Sequence, residues 1–150
     1  MSNSIAVIIL TLNEEIHIER CIRSAKAVTD EIIVVDSFST DHTCEKAREL
    51  GAVVYQHQFV NYAKQFNWAL ANCEIKAQWI WRLDADEYIE DPLAEKALQT
   101  LQTISEDVNG IFIAKYLSWL RNEYRTANGR QLADKTIKHH YNILRMVFNY

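Results

Sequence analysis

Trp79-Ile80-Trp81-Arg82-Leu83-Asp84-Ala85-Asp86-Glu87 sets an apolar run directly against a cluster of acids. The run reads as a buried strand, and the acids then stand where that strand emerges into a cleft. Three other apolar runs end in polar residues the same way. Residues 5–10 lead into Thr11-Leu12-Asn13-Glu14, residues 32–35 into Asp36-Ser37, and Val53-Val54-Tyr55 into Gln56-His57. Ligands of an open parallel sheet bind outside the carboxyl ends of its strands, so these four ends outline one candidate site.

Five apolar runs, at 5–10, 31–35, 52–55, 78–83 and 111–114, are largely continuous rather than alternating, as in strands covered on both faces. Between them lie helical spacings. Ile18, Cys21, Ile22 and Ala25 fall at i, i+3, i+4 and i+7, and Tyr62, Phe66, Leu70 and Cys73 form a similar stripe. Asp91-Pro92 predicts an N-cap with proline at the first helical position, after which Leu93, Ala97, Leu101 and Ile104 continue one face. Strands alternating with helices predict an α/β, Rossmann-like, mostly parallel sheet with right-handed crossovers and helices on both faces. Trp79 and Trp81 share one sheet face, which is expected to pack under a helix. Beyond residue 114 the pattern weakens: 116–128 fits strand, loop or short helix, Asn128-Gly129 signals a turn, and 142–148 reads as a further strand. The expected C-terminal extension is therefore short and irregular or β.

With 150 residues, 49% of them hydrophobic, the chain suits one domain with a full core. Cys21, Cys44 and Cys73 are odd in number and form no CxxC pair, which points to reduced thiols and a cytoplasmic location. The first residues lack the pattern of a basic segment followed by an apolar one, and no run approaches the roughly 18 apolar residues of a membrane span. Charge is uneven. Residues 1–110 hold 9 basic and 18 acidic side chains, whereas residues 111–150 hold 7 and 2. The acidic first part argues against nucleic-acid binding. The basic, aromatic tail is either a solvated face or a contact for something anionic, such as a phosphorylated acceptor or the inner face of the cell membrane.

Asn13, Glu14, Asp36, Ser37, Ser39, Asp41, Asp84, Asp86 and Glu87 collect at the strand ends. At about 6 Å and an effective dielectric near 20, each carboxylate–phosphate pair repels by roughly 3 kcal/mol, so an anionic ligand there needs a cation. Hard oxygen donors favour Mg²⁺ or Mn²⁺ bridging phosphates, with water completing the shell. Two acids after a strand also read as a loop with a helix cap; the acids at the other strand ends weigh towards a metal. Neighbouring His139 and His140 point apart on a strand or helix, so they are not expected to bind a metal together. His17, His42 and His57 have no ligand-like spacing and are expected to be exposed.

Residues 4–115 resemble the donor-binding half of family 2 glycosyltransferases with the GT-A fold, nearest the bacterial enzymes that add sugars to lipopolysaccharide core. The resemblance rests on Ile9-Leu10-Thr11-Leu12-Asn13-Glu14-Glu15, on Glu31-Ile32-Ile33-Val34-Val35-Asp36-Ser37-Phe38-Ser39-Thr40-Asp41, on Gly51-Ala52, on Lys64-Gln65-Phe66-Asn67-Trp68-Ala69-Leu70 and on Leu83-Asp84-Ala85-Asp86-Glu87, in that order. It implies a nucleotide-sugar site in which backbone around Thr11 and Leu12, with Asn13 and Glu14, holds base and ribose. Asp36, with Ser37 and Ser39, would meet a base N–H. Gln65 and Asn67 would brace the pocket floor, Asp84 and Ala85 would line the ribose or sugar, and Asp86 would ligate the metal on the diphosphate. Helix capping competes for Ser39 and Asp41, and tying loops together competes for Asn67.

Two positions depart from the family's pattern. Phe38 replaces a common glycine, and Phe66 stands where many relatives have arginine, which would weaken the positive potential near the phosphates. The implied activity is an inverting, metal-assisted transfer of a sugar to a saccharide or lipid-linked acceptor, with an acid from beyond the metal motif as base. Residues 1–115 would be the donor-binding domain and 116–150 the start of an acceptor-side region, with the base expected past Tyr150. Glu123 and Asp134 are the only acids after residue 110 and sit in no recognisable motif. Apolar surface around Trp119, Leu120 and Phe148 would then be open to self-association. The alternatives are a noncatalytic nucleotide-sugar-binding or assembly module of the same fold and a phospho-acceptor receiver, for which Lys115 is a poor fit.

Overall fold

The computed structural model describes residues 4–103. The expectations for Ile104, 111–114, 116–128, 142–148, Glu123, Asp134, the His139-His140 pair and the apolar surface around Trp119 lie outside the described residues. The elements run β1 (Ile5–Thr11), α1 (Ile18–Ala25), β2 (Ile32–Asp36), α2 (Thr43–Glu49), β3 (Val53–Gln56), α3 (Tyr62–Asn72), β4 (Trp79–Asp84) and α4 (Asp91–Thr103). The four strands pair in the order β3-β2-β1-β4, all parallel, as the strand–helix alternation predicts.

Each strand continues one residue past its apolar run. Leu10 pairs with Asp84, Thr11 with Asp36, and Asp36 with Gln56. Hydrophobicity marks where side chains are buried, whereas the ladder is made by backbone groups that any residue carries. Thr11, Asp36 and Asp84 therefore stand on strands, where their side-chain directions are fixed, and not in loops.

Cover on both faces holds for the two central strands. β2 is buried throughout, and β1 from Ala6 onward. It fails at β3, an edge strand whose Val53 is 55% exposed. Strand register places Tyr55, Val35, Leu10, Asp84 and Arg82 on one face, where Tyr55 and Arg82 meet Trp68 and Tyr62 of α3. Asp36 points to the opposite face, where Cys44 of α2 reaches it. Helices thus cover both faces. Trp79 and Trp81 share a face with Leu83 and are half-buried.

The α1 stripe is as expected, with Ile18, Cys21, Ile22 and Ala25 all 0% exposed. In α3 the expected stripe holds at Phe66 and in part at Cys73, but Tyr62 and Leu70 are exposed, and the buried face is Gln65, Phe66 and Ala69. Apolar periodicity overlooks Gln65 because hydrogen bonds, not apolar character, make its burial tolerable. Helix α4 begins at Asp91, the expected cap, and so one residue earlier than expected. Both Leu93 and Ala94 donate to the Glu90 carbonyl, which places Asp91 and Pro92 within the first turn. Leu93, Ala97 and Leu101 are buried there, joined by Ala94.

Gly51 ends α2 at φ +84°, where a side chain would be strained. Its N–H donates to the Arg48 carbonyl and that of Ala52 to the Ala47 carbonyl, a Schellman closure that turns the chain straight into β3.

Candidate functional site

The loops after β1 and β2 are laced together before any ligand is considered. Asn13 N–H donates to Ser39 Oγ at 2.7 Å, Glu14 N–H to Thr43 Oγ1 at 2.8 Å, and Glu15 N–H to Asp41 Oδ2 at 3.1 Å. In return Thr40 N–H donates to Asn13 Oδ1 at 2.8 Å, His42 N–H to Glu15 Oε2 at 3.1 Å, and Lys46 Nζ to the Glu15 carbonyl at 2.8 Å. Asn13 and Phe38 hold left-handed backbone, at φ +53° and +63°. Asn13 suits that region, whereas phenylalanine does not. Leu12 and Phe38 are about half exposed on this rim.

Asp36 is fully buried. Its carboxylate accepts from Ser39 N–H at 2.9 Å, from the Ser39 hydroxyl and from Gln56 Nε2 at 3.1 Å, and the Cys44 thiol reaches it as well, which fills its roughly four acceptor positions. Asp36 thus ties the loop to the sheet, and a further donor would have to displace one of these partners. Ser37 N–H bonds the Thr11 carbonyl, and the buried Thr11 hydroxyl has no partner among the described residues. Gln65 is likewise fully buried, with Nε2 donating to Ser37 Oγ at 3.2 Å and to the His57 carbonyl at 3.1 Å. Its Oε1 can then only accept, so His57 Nδ1 carries the proton of their 2.7 Å bond. His57 also stacks on Trp68 at 4.4 Å. Gln65 thus ties α3 to the segments that follow β2 and β3. Asn67 is half-buried and makes no side-chain hydrogen bond among the described residues. Of the three histidines expected to be exposed, only His42 is; His17, bonded to Glu14 at 2.6 Å, and His57 are half-buried.

At the end of β4, Ala85 N–H donates to the Leu10 carbonyl, which holds the step against β1. Glu87 turns back: its Oε2 accepts from Asp84 N–H at 3.0 Å while its own N–H donates to the Asp84 carbonyl at 2.9 Å. Asp84 keeps 24% of its side chain exposed and takes Arg82 Nη2 at 2.5 Å. Asp86 is exposed, and its carbonyl accepts from Arg20, whose guanidinium lies 4.7 Å over the Tyr88 ring. The acids leave an electrostatic trace on Cys21, whose thiol is pushed up to about 12 by burial first and then by Glu87 and Asp86.

Arg82 is the residue that the sequence reading passed over. Only 3% exposed, it lies 5.4 Å from the Tyr62 ring centre and carries an Nε with no partner among the described residues. A charged residue inside an apolar run, two positions before an acid and so on its face, was the available signal. Phe66 is buried in α3, and the Arg82 guanidinium that enters from the strand is paired with Asp84.

Among the described residues no three His, Cys, Asp or Glu side chains converge as a metal-ligand set. The donor chemistry still suits a divalent ion that arrives on a phosphorylated ligand, since Mg²⁺ is commonly held by one or two carboxylates plus phosphate oxygens and water. Of the two aspartates of the Asp84-Ala85-Asp86 step, Asp86 is the exposed one.

Comparison with known proteins gives concordant results. The model of the family described as glycosyl transferase family 2 matches residues 6–147. An uncharacterized glycosyltransferase of Rickettsia bellii is 36% identical over 125 residues, 83% of this chain and 42% of the relative. The lipopolysaccharide core biosynthesis glycosyltransferase LpsC of Rhizobium meliloti is 30% identical over 132 residues, 85% of this chain and 47% of that protein. The chain thus spans less than half the length of these curated relatives. Among solved structures, residues 1–349 of TarS from S. aureus superpose with a TM-score of 0.55 at 28% identity, over 67% of this chain and 32% of that one. Glucosyl-3-phosphoglycerate synthase of Mycobacterium tuberculosis, in complex with Mg²⁺ and UDP, gives 0.52 at 29% identity, over 61% and 36%.

Proposed function

The chain belongs to glycosyl transferase family 2, and from that premise we propose that it binds a nucleotide-sugar donor at the carboxyl ends of β1, β2 and β4 and serves an inverting, metal-assisted sugar transfer. The observation that carries this reading is the Asp84-Ala85-Asp86 step. It closes β4 beside β1, with Asp86 exposed and Asp84 directed from the strand. Thr11, Leu12, Asn13 and Glu14 would border the base and ribose, with Asp36, Ser37 and Ser39 behind them and Gln65 and Asn67 beneath. Asp84 would accept a ribose or sugar hydroxyl, and Asp86, with phosphate oxygens and water, would hold Mg²⁺ or Mn²⁺. When bound, that ion offsets the charge that grows on the departing diphosphate.

The acceptor we propose is a saccharide or lipid-linked glycan of the cell envelope, and the location the cytoplasm or the inner face of its membrane. No helix among the described residues is long and apolar enough to cross a membrane. The likeness to LpsC supports the acceptor class, and the UDP and Mg²⁺ of the M. tuberculosis synthase support the donor class.

The test is calorimetric titration of a panel of nucleoside diphosphates, with and without Mg²⁺ or Mn²⁺, into wild type and Asp86→Ala. Metal-dependent binding that the substitution reduces at least tenfold is expected. Failure of every nucleotide to bind wild type would overturn the proposal. Product assays with sugar nucleotides on the same samples separate a transferase from a module that only binds.

A further inference from the structure

We propose that Arg82 is the internal counter-cation and positioning residue of Asp84, so that the Asp84-Ala85-Asp86 step presents a single uncompensated carboxylate, that of Asp86. The inference rests on the donor-site reading above but concerns how the two acids divide their work. Arg82 is 3% exposed, a burial that an unpaired charge does not tolerate. Its Nη2 lies 2.5 Å from Asp84 Oδ1, and its guanidinium lies near the Tyr62 ring. Strand geometry enforces the pair, because residues two apart on β4 share a face. Asp84 N–H is also fixed, by Glu87 Oε2 at 3.0 Å. One Asp84 oxygen is thus occupied and its charge balanced, while 24% side-chain exposure leaves the carboxylate open to a neutral hydroxyl. Arg82 Nε, without a partner among the described residues, gives this buried cation one further donor.

Among the described residues Asp86 has no such partner: Arg20 reaches its carbonyl, not its carboxylate. A cation approaching the step therefore meets one free carboxylate at Asp86 and one already neutralised at Asp84.

The test reads metal affinity directly, without turnover. Mn²⁺ is titrated into wild type, Arg82→Met, Arg82→Lys, the double variant Arg82→Met/Asp84→Asn and Asp86→Asn, and free ion is followed by electron paramagnetic resonance. Folding is checked by near-ultraviolet circular dichroism. The double variant, which removes both charges of the pair, is expected to change Mn²⁺ affinity less than threefold, and Asp86→Asn to lower it tenfold or more. Arg82→Met alone, which frees a second carboxylate, should tighten Mn²⁺ at least fivefold while weakening the binding of the best nucleoside diphosphate. Arg82→Lys should fall between it and wild type. A tenfold loss in the double variant, or an unchanged or weaker Mn²⁺ affinity in folded Arg82→Met, overturns the proposal. If Arg82→Met does not fold, the double variant and Asp86→Asn decide. Wild type that binds Mn²⁺ as described but no nucleotide would instead sink the donor-site reading alone.

Discussion

At position 38 a phenylalanine holds φ +63° with half its surface in solvent. The left-handed region costs an L-residue about 1–2 kcal/mol, and glycine would give back about 0.5–1 kcal/mol of that through its freer unfolded chain. Phe38→Gly should therefore stabilise the protein by about 0.5–1 kcal/mol, read as a higher urea midpoint at unchanged slope; a lower midpoint would show that the ring makes contacts worth more than the strain. The thiols give a second prediction at this scale. Burial pushes Cys44 and Cys73 up to about 11, aided at Cys44 by Asp36, and pushes Cys21 to about 12. Thiolate being the reactive form, alkylation by iodoacetamide at pH 8 should be slower than for a free thiol by on the order of a hundredfold at Cys44 and Cys73 and a thousandfold at Cys21. Rates that level off near pH 9 would contradict this, because a thiol titrating near 11 keeps gaining thiolate beyond that point. The native state then binds more protons than the unfolded one, so these groups stabilise fully below the unfolded value of 9.0 and lose that contribution as pH climbs towards 11 and 12. None of the three shifts was legible in the sequence, since each depends on what packs around the sulfur. Arg82 was partly legible: its place in an apolar run was visible, its partner was not.

Among the elements, the two loops that follow β1 and β2 matter most, because side chains 26 to 29 residues apart pin their backbones together. Asp41 is the joint. It accepts from Thr43 N–H at 3.0 Å, from the Thr43 hydroxyl at 2.5 Å and from Glu15 N–H. Burial pushes its carboxyl up, but the Thr43 hydroxyl, then the N–H groups of Thr43 and Glu15, outweigh that and hold it below its ordinary value. Loss of these charged hydrogen bonds costs about 1–2 kcal/mol, so Asp41→Ala should unfold at lower urea at pH 7. The carboxylate's contribution is complete above the unfolded value of 3.8 and disappears as pH falls through the lower folded value. The difference between wild type and Asp41→Ala should shrink accordingly between pH 4 and about pH 2; a difference constant across that range would show that the carboxylate's charge is irrelevant. The motif Asp36-Ser37-Phe38-Ser39-Thr40-Asp41 showed in the sequence that a loop is held here. That Asn13, Glu14 and Glu15 hold it could not be read, because helical and strand periodicities describe one element at a time.

For the whole molecule the sheet order sets the gradient of stability. β1 lies between β2 and β4, and its Ile8 is 0% exposed, whereas β3 is at the edge with Val53 55% exposed. Ile8→Ala should cost about 2–5 kcal/mol by leaving a cavity, and Val53→Ala less than about 0.5 kcal/mol. Comparable losses at the two sites, measured by urea unfolding, would mean that β3 is not an edge in solution. The sequence by itself determined the alternation of strand and helix, the helical face of α1, and which polar residues follow each apolar run. Those are local properties, written in the spacing of neighbours along the chain. Tertiary structure alone decided the order β3-β2-β1-β4, which sets Thr11 between Asp36 and the β4 acids, the burial of Gln65 under the β2 and β3 ends, and the departure of Asp36 from solvent. Each of these follows from contacts between residues distant in sequence. Their free energy depends on which groups meet and how much water they shed, and local periodicity records neither.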